Sequence, residues 1–366
     1  LFRSPAWNTK VHFTINDRIV WNEAIKSYRQ AIALFPNYAD AHSNLGETLR
    51  DQGNMQEAIA SYQNALALNP NHPSANYNMA EFLYLAKRFD EAIPHFERSQ
   101  LDDWLERSMY CLYKAERFDD FKKKLDEIVK AGPHNAPFLA TLSTHYAVNF
   151  GVEDPYNFCK NGFDFVYNAA IPELSEPDSP LLKALLKDIN NAEIAERVQG
   201  MLHNGKQSAG NLFKRPEASF RTLGELVKKE FMNYKNKFAG ADCELIQSFP
   251  EEFEFTSSWY VKMRQGGHLD AHIHEIGWIS GAVYLAMPSD KKTPTEGAFE
   301  YGIHGDAYPQ KHSNFPVGTV VPNVGEIVLF PSSLFHRTIP FTSSEERICI
   351  AFDLKPSVAS SARSNY

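Results

Sequence analysis

The sequence predicts a two-part α+β chain: an all-helical repeat array to about residue 150, then a β domain with a helical lead-in. Three observations predict it. A period of 34 residues governs the first hundred positions, as stacked helical units require. Beyond Phe249 the pattern turns to short apolar segments bounded by Gly and Pro, which reads as β structure. The length of 366 residues exceeds what one core usually holds.

The period is carried by particular residues. Ala24, Ala58 and Ala92 align, as do Ile25, Ile59 and Ile93, and Tyr28, Tyr62 and Phe96. Pro36 aligns with Pro70, Asn37 with Asn71, Ala41 with Ala75, and Leu45 with Met79. This pattern resembles the tetratricopeptide repeat (TPR). In it, small residues sit where helices cross closely, here Gly46, Ala58 and Ala65, and Leu45, Leu49 and Tyr62 fill the gaps. A Pro near each repeat end stops the second helix. Helices are expected near Ala39–Asp51, Met55–Leu68, Ser74–Ala86 and Phe89–Ser99, with half a repeat near Trp21–Phe35. Residues 1–20 fit poorly and read as a strand-like tail or a degenerate helix. After Gln100 the period breaks: Arg117-Phe118-Asp119-Asp120 echoes Arg88-Phe89-Asp90-Glu91 only 29 residues on. Degenerate hairpins that cover the last apolar face are expected to about Asn149. The TPR resemblance implies a concave surface for a protein or peptide partner. The plainer alternative is a stabilising cap.

From Gly151 to Pro180 aromatics mix with Gly, Pro and Asp, as in a packed linker. Leu181–His203 reads as an amphipathic helix. Asn204 to Leu212 reads as a polar, glycine-punctuated loop with Gln207 at its centre. Phe220–Lys237 is the next helix, with Leu223, Leu226, Val227 and Phe231 at helical spacing.

The chemistry lies in WYVKMRQGGHLDAHIHEIGWISGAVYLAMP, Trp259 to Pro288, and in VGEIVLFPSSLFHRTIPF, Val324 to Phe341. His272 and His274 are two apart, so on a strand both imidazoles reach one metal ion. His336 follows an apolar strand ending at Phe330. Eleven residues later Arg347 opens the alternating strand Arg347-Ile348-Cys349-Ile350-Ala351-Phe352. An inward Arg among apolar neighbours is costly unless an anion meets it.

This constellation resembles the 2-oxoglutarate- and Fe(II)-dependent dioxygenases, and more narrowly the oxygenase domain that bacteria attach to TPRs, over about Phe150 to Pro356. The resemblance implies a double-stranded β-helix (jelly roll) with flanking helices, Fe(II) and 2-oxoglutarate as cofactors, and hydroxylation of a C–H bond with release of succinate. On that reading residues 1–150 are the TPR-like domain and 151–366 the dioxygenase-like domain, with a helical lead-in at 151–240 and the β-helix core at about 241–356. One departure stands out: His274 occupies the usual carboxylate position. Three ligand sets can be written: His272, His274 and His336; a literal H-x-D from His268 and Asp270; or Glu275 in place of His274. The resemblance favours the first, because Gly266 precedes His272 at the family's turn-to-ligand spacing. It also implies that Arg347 pairs with the distal carboxylate of 2-oxoglutarate and that Tyr284, with Ser280 on the same face, helps hold the keto acid. His268 and Asp270 are candidates to brace the ligand imidazoles. Gln207, Trp278, Glu300, Tyr301 and His304 are candidates for the mouth of the site.

Two rival readings remain. A cupin-type three-histidine dioxygenase needs no keto acid, but the expected later Glu is missing and Arg347 has no job. A non-catalytic TPR scaffold leaves the three His and the Arg unexplained. The net charge of −8 with no long basic run argues against nucleic acid. Cys111, Cys159, Cys243 and Cys349 show no C-x-x-C spacing, which suggests a reducing, cytoplasmic compartment. No apolar stretch reaches membrane-span length, and no signal-peptide pattern is visible. The start at Leu-Phe-Arg without Met suggests a fragment of something longer.

Overall fold

The computed structural model describes residues 15–356 apart from 102, 177, 192, 198, 199 and 276. The expectation for the first residues therefore lies outside the described residues up to 14, and helix begins at Ile15. The chain divides into two compact units, Leu1–Glu127 and Ile128–Tyr366.

The first unit is helical: α1 (Ile15–Leu34), α2 (Ala39–Asp51), α3 (Met55–Leu68), α4 (Pro73–Leu85), α5 (Phe89–Ser99), α6 (Trp104–Lys114) and most of α7 (Phe118–Ala131). The 34-residue period places the hairpins α2/α3 and α4/α5 as expected. Small residues set the close crossings. A Cβ at Gly46 would stand 2.5 Å from the Tyr62 ring and 3.0 Å from the Ala58 carbonyl. Ala58, Ala65 and Tyr62 are buried at that crossing. In the next hairpin the Tyr77 ring meets Phe96 edge-on at 5.7 Å. The period breaks where Gln100 adopts φ 48 and ends α5 in a left-handed turn.

The second unit opens with α8 (Pro137–Phe150), β1 (Tyr167–Ala170), α9 (Pro172–Ser175), α10 (Pro180–Asn191), β2 (Glu196–Arg197), β3 (Leu202–Ser208), α11 (Ala218–Lys237) and α12 (Glu244–Gln247). The strands β4 (Phe253–His272), β5 (Ile279–Ala286), β6 (Phe299–Gly302), β7 (Val317–Val320), β8 (Glu326–Pro331), β9 (Phe335–Thr338) and β10 (Arg347–Pro356) follow. All named strands pair antiparallel, in the order β1-β8-β5-β10-β4-β9-β6-β7, with β3 also on β4. β4 serves two layers. Its residues up to Met263 pair with β10, while Leu269 and His272 pair with β9. Between these stretches Gly266 adopts φ +78, which only glycine reaches without strain, and the strand turns the corner. This is the double-stranded β-helix. Helix α11 covers it through buried Phe231, whose ring lies 6.1 Å from Phe352 of β10.

Three sequence expectations fail locally. The helix expected over Leu181–His203 ends at Asn191, where the paired asparagines Asn190 and Asn191 interrupt the apolar stripe. The loop expected around Gln207 is strand β3, because its register against β4 shifts between His203 and Gly205 and so absorbs the Asn204-Gly205 step. β4 is one strand of 20 residues rather than several short segments.

Candidate active site

His272 ends β4 and stands directly opposite His336 of β9 in the ladder. His274 lies two residues beyond the strand. Their ring centroids are 4.3 Å apart for His272 and His336, 4.8 Å for His274 and His336, and 5.3 Å for His272 and His274. One ring nitrogen of each lies within 4.8 Å of the others, and no carboxylate joins this cluster among the described residues.

The hydrogen bonds decide which nitrogens face inward. The Nδ1 of His272 is 2.8 Å from the Asp270 carbonyl, and that of His336 is 3.3 Å from the Leu334 carbonyl. Carbonyls only accept, so Nδ1 carries the proton and Nε2 the lone pair. The Nδ1 of His274 bonds the Asp353 carboxylate. All three Nε2 atoms are thereby left available. Electrostatics agree. Burial, then the neighbouring His274, pushes His272 down to about 4. Burial and the other two imidazoles hold His336 well below its usual value. Neutral imidazoles are the form that binds metal. Phe330, at 4.6 Å, and Phe299, at 5.8 Å, fix the His336 ring. Three nitrogen donors and no carboxylate in the cluster leave a divalent iron positions to fill with other ligands.

Asp353 was not among the residues singled out in the sequence. It is opposite Ser257 of β4 and Ser280 of β5, so the three form a row across adjacent strands. Its carboxylate accepts from Ser257 at 3.0 Å and from Ser280 at 2.8 Å, besides His274. Burial raises its pKa, but His274 and the two serines outweigh burial and hold it below the usual range. A full negative charge therefore sits behind His274. Ser280 lies in this row, also bonding Ser332 at 2.7 Å.

Arg347 opens β10 and is 2 % exposed. Its Nε donates to the Gly297 carbonyl at 2.9 Å, its Nη1 reaches the Cys349 sulfur at 3.6 Å, and the guanidinium lies 5.1 Å from the centre of the Tyr284 ring. No carboxylate lies within ion-pair distance of it among the described residues. The nearby Glu296 carboxylate is instead taken by Thr342 and the Lys292 amide. Lys291 adds to the positive field: burial, then Arg347, lowers its pKa. Tyr284 is buried beneath the guanidinium, and burial raises its phenol.

The remaining candidates scatter. His268 and Asp270 join His203 in a separate, more exposed group. Only the Asp270 carbonyl, not its carboxylate, touches a site imidazole. Gln207 is buried on β3. Trp278 is core rather than mouth: its Nε1 donates to the Leu245 carbonyl at 3.1 Å and its ring meets Phe158 edge-on at 5.0 Å. Glu300 pairs with Arg337 at 2.5 Å, Tyr301 packs on Phe163 at 4.9 Å, and His304 bonds His145 at 2.8 Å. Glu275 is outside the three-imidazole group.

Among family models, one described as "Putative 2OG-Fe(II) oxygenase" matches residues 257–353. Models described as "Tetratricopeptide repeat" and "TPR repeat" match residues 49–103 and 21–53. No curated protein matches the chain in sequence. Similar solved structures include HygX from Streptomyces hygroscopicus with nickel, 2-oxoglutarate and hygromycin B bound, at 14% identity and a TM-score of 0.36 over 54% of this chain and 85% of that one. A prolyl-4-hydroxylase from Pseudomonas putida is 15% identical, with a TM-score of 0.34 over 52% of this chain and 92% of its own. The viral collagen prolyl hydroxylase of Paramecium Bursaria Chlorella virus-1 is 12% identical, with a TM-score of 0.34 over 53% and 97%.

Proposed function

From the premise that this chain carries tetratricopeptide repeats and a 2OG-Fe(II) oxygenase domain, we propose that it hydroxylates a side chain of a protein or peptide brought to it by the repeats. Its cofactors are Fe(II) and 2-oxoglutarate. His272, His274 and His336 would hold the iron through Nε2. Bound there with 2-oxoglutarate and O2, the iron supplies the oxidant for an unactivated C–H bond.

The observation that carries the reading is Arg347, a buried guanidinium with no carboxylate at ion-pair distance among the described residues. A dicarboxylate whose other end reaches the metal satisfies that charge, and the guanidinium fork suits a carboxylate. Tyr284 lies against the guanidinium, whose carbon is 5.1 Å from the ring centre. Ser280 would help Asp353 hold His274 rather than the keto acid, since its hydroxyl donates to the Asp353 carboxylate. Asp353 fixes the His274 tautomer and supplies the negative charge that the three-histidine set lacks. The aromatic walls Phe299 and Phe330 exclude water around His336.

Tetratricopeptide repeats generally mediate protein–protein contact, which supports a macromolecular substrate. No described helix is long and apolar enough to cross a membrane. All four cysteines are free thiols, which supports a reducing compartment. The test is to incubate the full chain with Fe(II), 2-oxoglutarate and a defined peptide library and to measure succinate and peptide mass together. Succinate that rises with a peptide that gains one oxygen atom supports the proposal. Succinate release with no peptide in the library modified, or modification without 2-oxoglutarate, overturns it.

A further inference from the structure

We infer that His203, His268 and Asp270 form a second metal site, apart from the three-imidazole site, that takes a borderline transition-metal ion of the Zn(II) type. His203 on β3 and His268 on β4 are ladder partners, and their rings stack at 4.3 Å with 14° between planes. Stacking sets both imidazoles on one side of the strand pair. Asp270, two residues beyond His268, shares that face. Its backbone is fixed by a bond from its amide to the Met201 carbonyl at 3.0 Å.

Ring nitrogens and carboxylate oxygens of the three lie within 4.8 Å of one another. The His203 Nε2 is 2.9 Å from Asp270 Oδ2, and the His268 Nε2 is 3.8 Å from Oδ1. The His268 Nδ1 is 3.0 Å from the Gly266 carbonyl, so it carries the proton and Nε2 is a lone pair. That lone pair faces a carboxylate oxygen, also a lone pair, across a gap too long for a hydrogen bond. A cation between them resolves the juxtaposition. Zinc–nitrogen and zinc–oxygen bonds of about 2.0–2.2 Å span a nitrogen–oxygen gap of this size at an opened tetrahedral angle. Two imidazoles and one carboxylate suit zinc, nickel or copper better than magnesium or calcium. The side chains are 45%, 28% and 54% exposed for His203, His268 and Asp270, so the ion has direct entry and water can complete its shell.

The site has a physical link to the first: the Asp270 backbone carbonyl accepts a hydrogen bond from the His272 Nδ1–H. His203 has no such link, which makes it the cleaner probe.

The test is zinc stoichiometry on the full chain, by equilibrium dialysis against micromolar Zn(II) followed by elemental analysis. The parent should bind two ions, His203→Asn one, His336→Ala one, and the double variant none. Should His203→Asn fold poorly by circular dichroism, Asp270→Asn takes its place and should likewise lose one ion. A parent that holds two ions and loses neither on His203→Asn or Asp270→Asn overturns the inference. So does a parent that holds one ion which His336→Ala removes and His203→Asn does not.

Discussion

Arg347→Ala separates a keto-acid-dependent site from one that merely holds a metal. The guanidinium is 2 % exposed and spends one donor on the Gly297 carbonyl and a weak one on the Cys349 sulfur. The rest of its fork meets no carboxylate among the described residues. A bidentate pair with the distal carboxylate of 2-oxoglutarate contributes on the order of 1.5–3 kcal/mol per charge-assisted bond. Part of this is offset by stripping water from the dianion. A net loss of about 3 kcal/mol corresponds to roughly a hundredfold at 1.4 kcal/mol per decade. Arg347→Ala should therefore raise the half-saturating 2-oxoglutarate concentration by about two orders of magnitude. Arg347→Lys keeps the charge, loses the fork and should fall between, roughly tenfold weaker than the parent. Metal binding should be almost untouched in both, since Arg347 contacts none of the three imidazoles. The assay is succinate formed against 2-oxoglutarate concentration at fixed Fe(II), with metal content measured on the same samples. An unchanged 2-oxoglutarate dependence in Arg347→Ala would refute the reasoning, as would turnover with no keto acid, which belongs to a cupin-like site.

Further perturbations have distinct readouts. His336→Ala should abolish iron binding at the site, checked by titration, because two imidazoles seldom retain a divalent ion in the presence of water. Asp353→Asn should weaken metal binding by about 10–100-fold while the fold survives, as loss of a partner behind a metal-bound histidine does; metal affinity equal to the parent's would remove Asp353 from the account. Ser280→Ala should weaken metal binding less than Asp353→Asn and leave 2-oxoglutarate affinity unchanged, because its hydroxyl serves the carboxylate row; a loss confined to 2-oxoglutarate affinity would return Ser280 to the keto acid. Gly46→Val should destabilise the repeat unit by about 1–3 kcal/mol, read from urea unfolding, since its side chain would drive into the buried Tyr62 ring.

The repeat helices were legible because their signal is local and repeated. Ala58 and Tyr62 recur at a spacing of 34 as Ala24, Ala92, Tyr28 and Phe96, and the crossing they form with Gly46 needs those volumes. The helix ends at Asp51, Leu68 and Ser99 follow directly from that pattern. The β domain was legible in kind but not in outline. The polar run Leu202–Ser208 has no apolar alternation, and only pairing along the edge of β4 makes it a strand. Likewise the helix after Pro180 stops at the Asn190-Asn191 pair, and the chain beyond it pairs as β2 and β3.

At the site, the two-residue spacing of His272 and His274 and the later His336 were readable, and the chain brings them together. What the sequence withheld was the partition of neighbours. His268 and Asp270 read as an H-x-D motif, yet the corner at Gly266 and pairing with β3 turn them to His203. Trp278 sits in the same motif-rich stretch, but its indole finds the Leu245 carbonyl in the core. Asp353 was within reach. Residues 347, 349, 351 and 353 share one face of a strand, and a second charged residue on the face of Arg347 is itself a signal. Its partners Ser257 and Ser280 come from two other strands, and only the register brings them opposite it.

The most direct test is a crystal structure of the full chain soaked anaerobically with Mn(II) and 2-oxoglutarate, with the metal placed by its anomalous signal. One manganese is expected on the Nε2 atoms of His272, His274 and His336, with the distal carboxylate of 2-oxoglutarate on the Arg347 guanidinium. A metal absent from those three imidazoles, or a keto acid whose distal carboxylate lies away from Arg347, would contradict it.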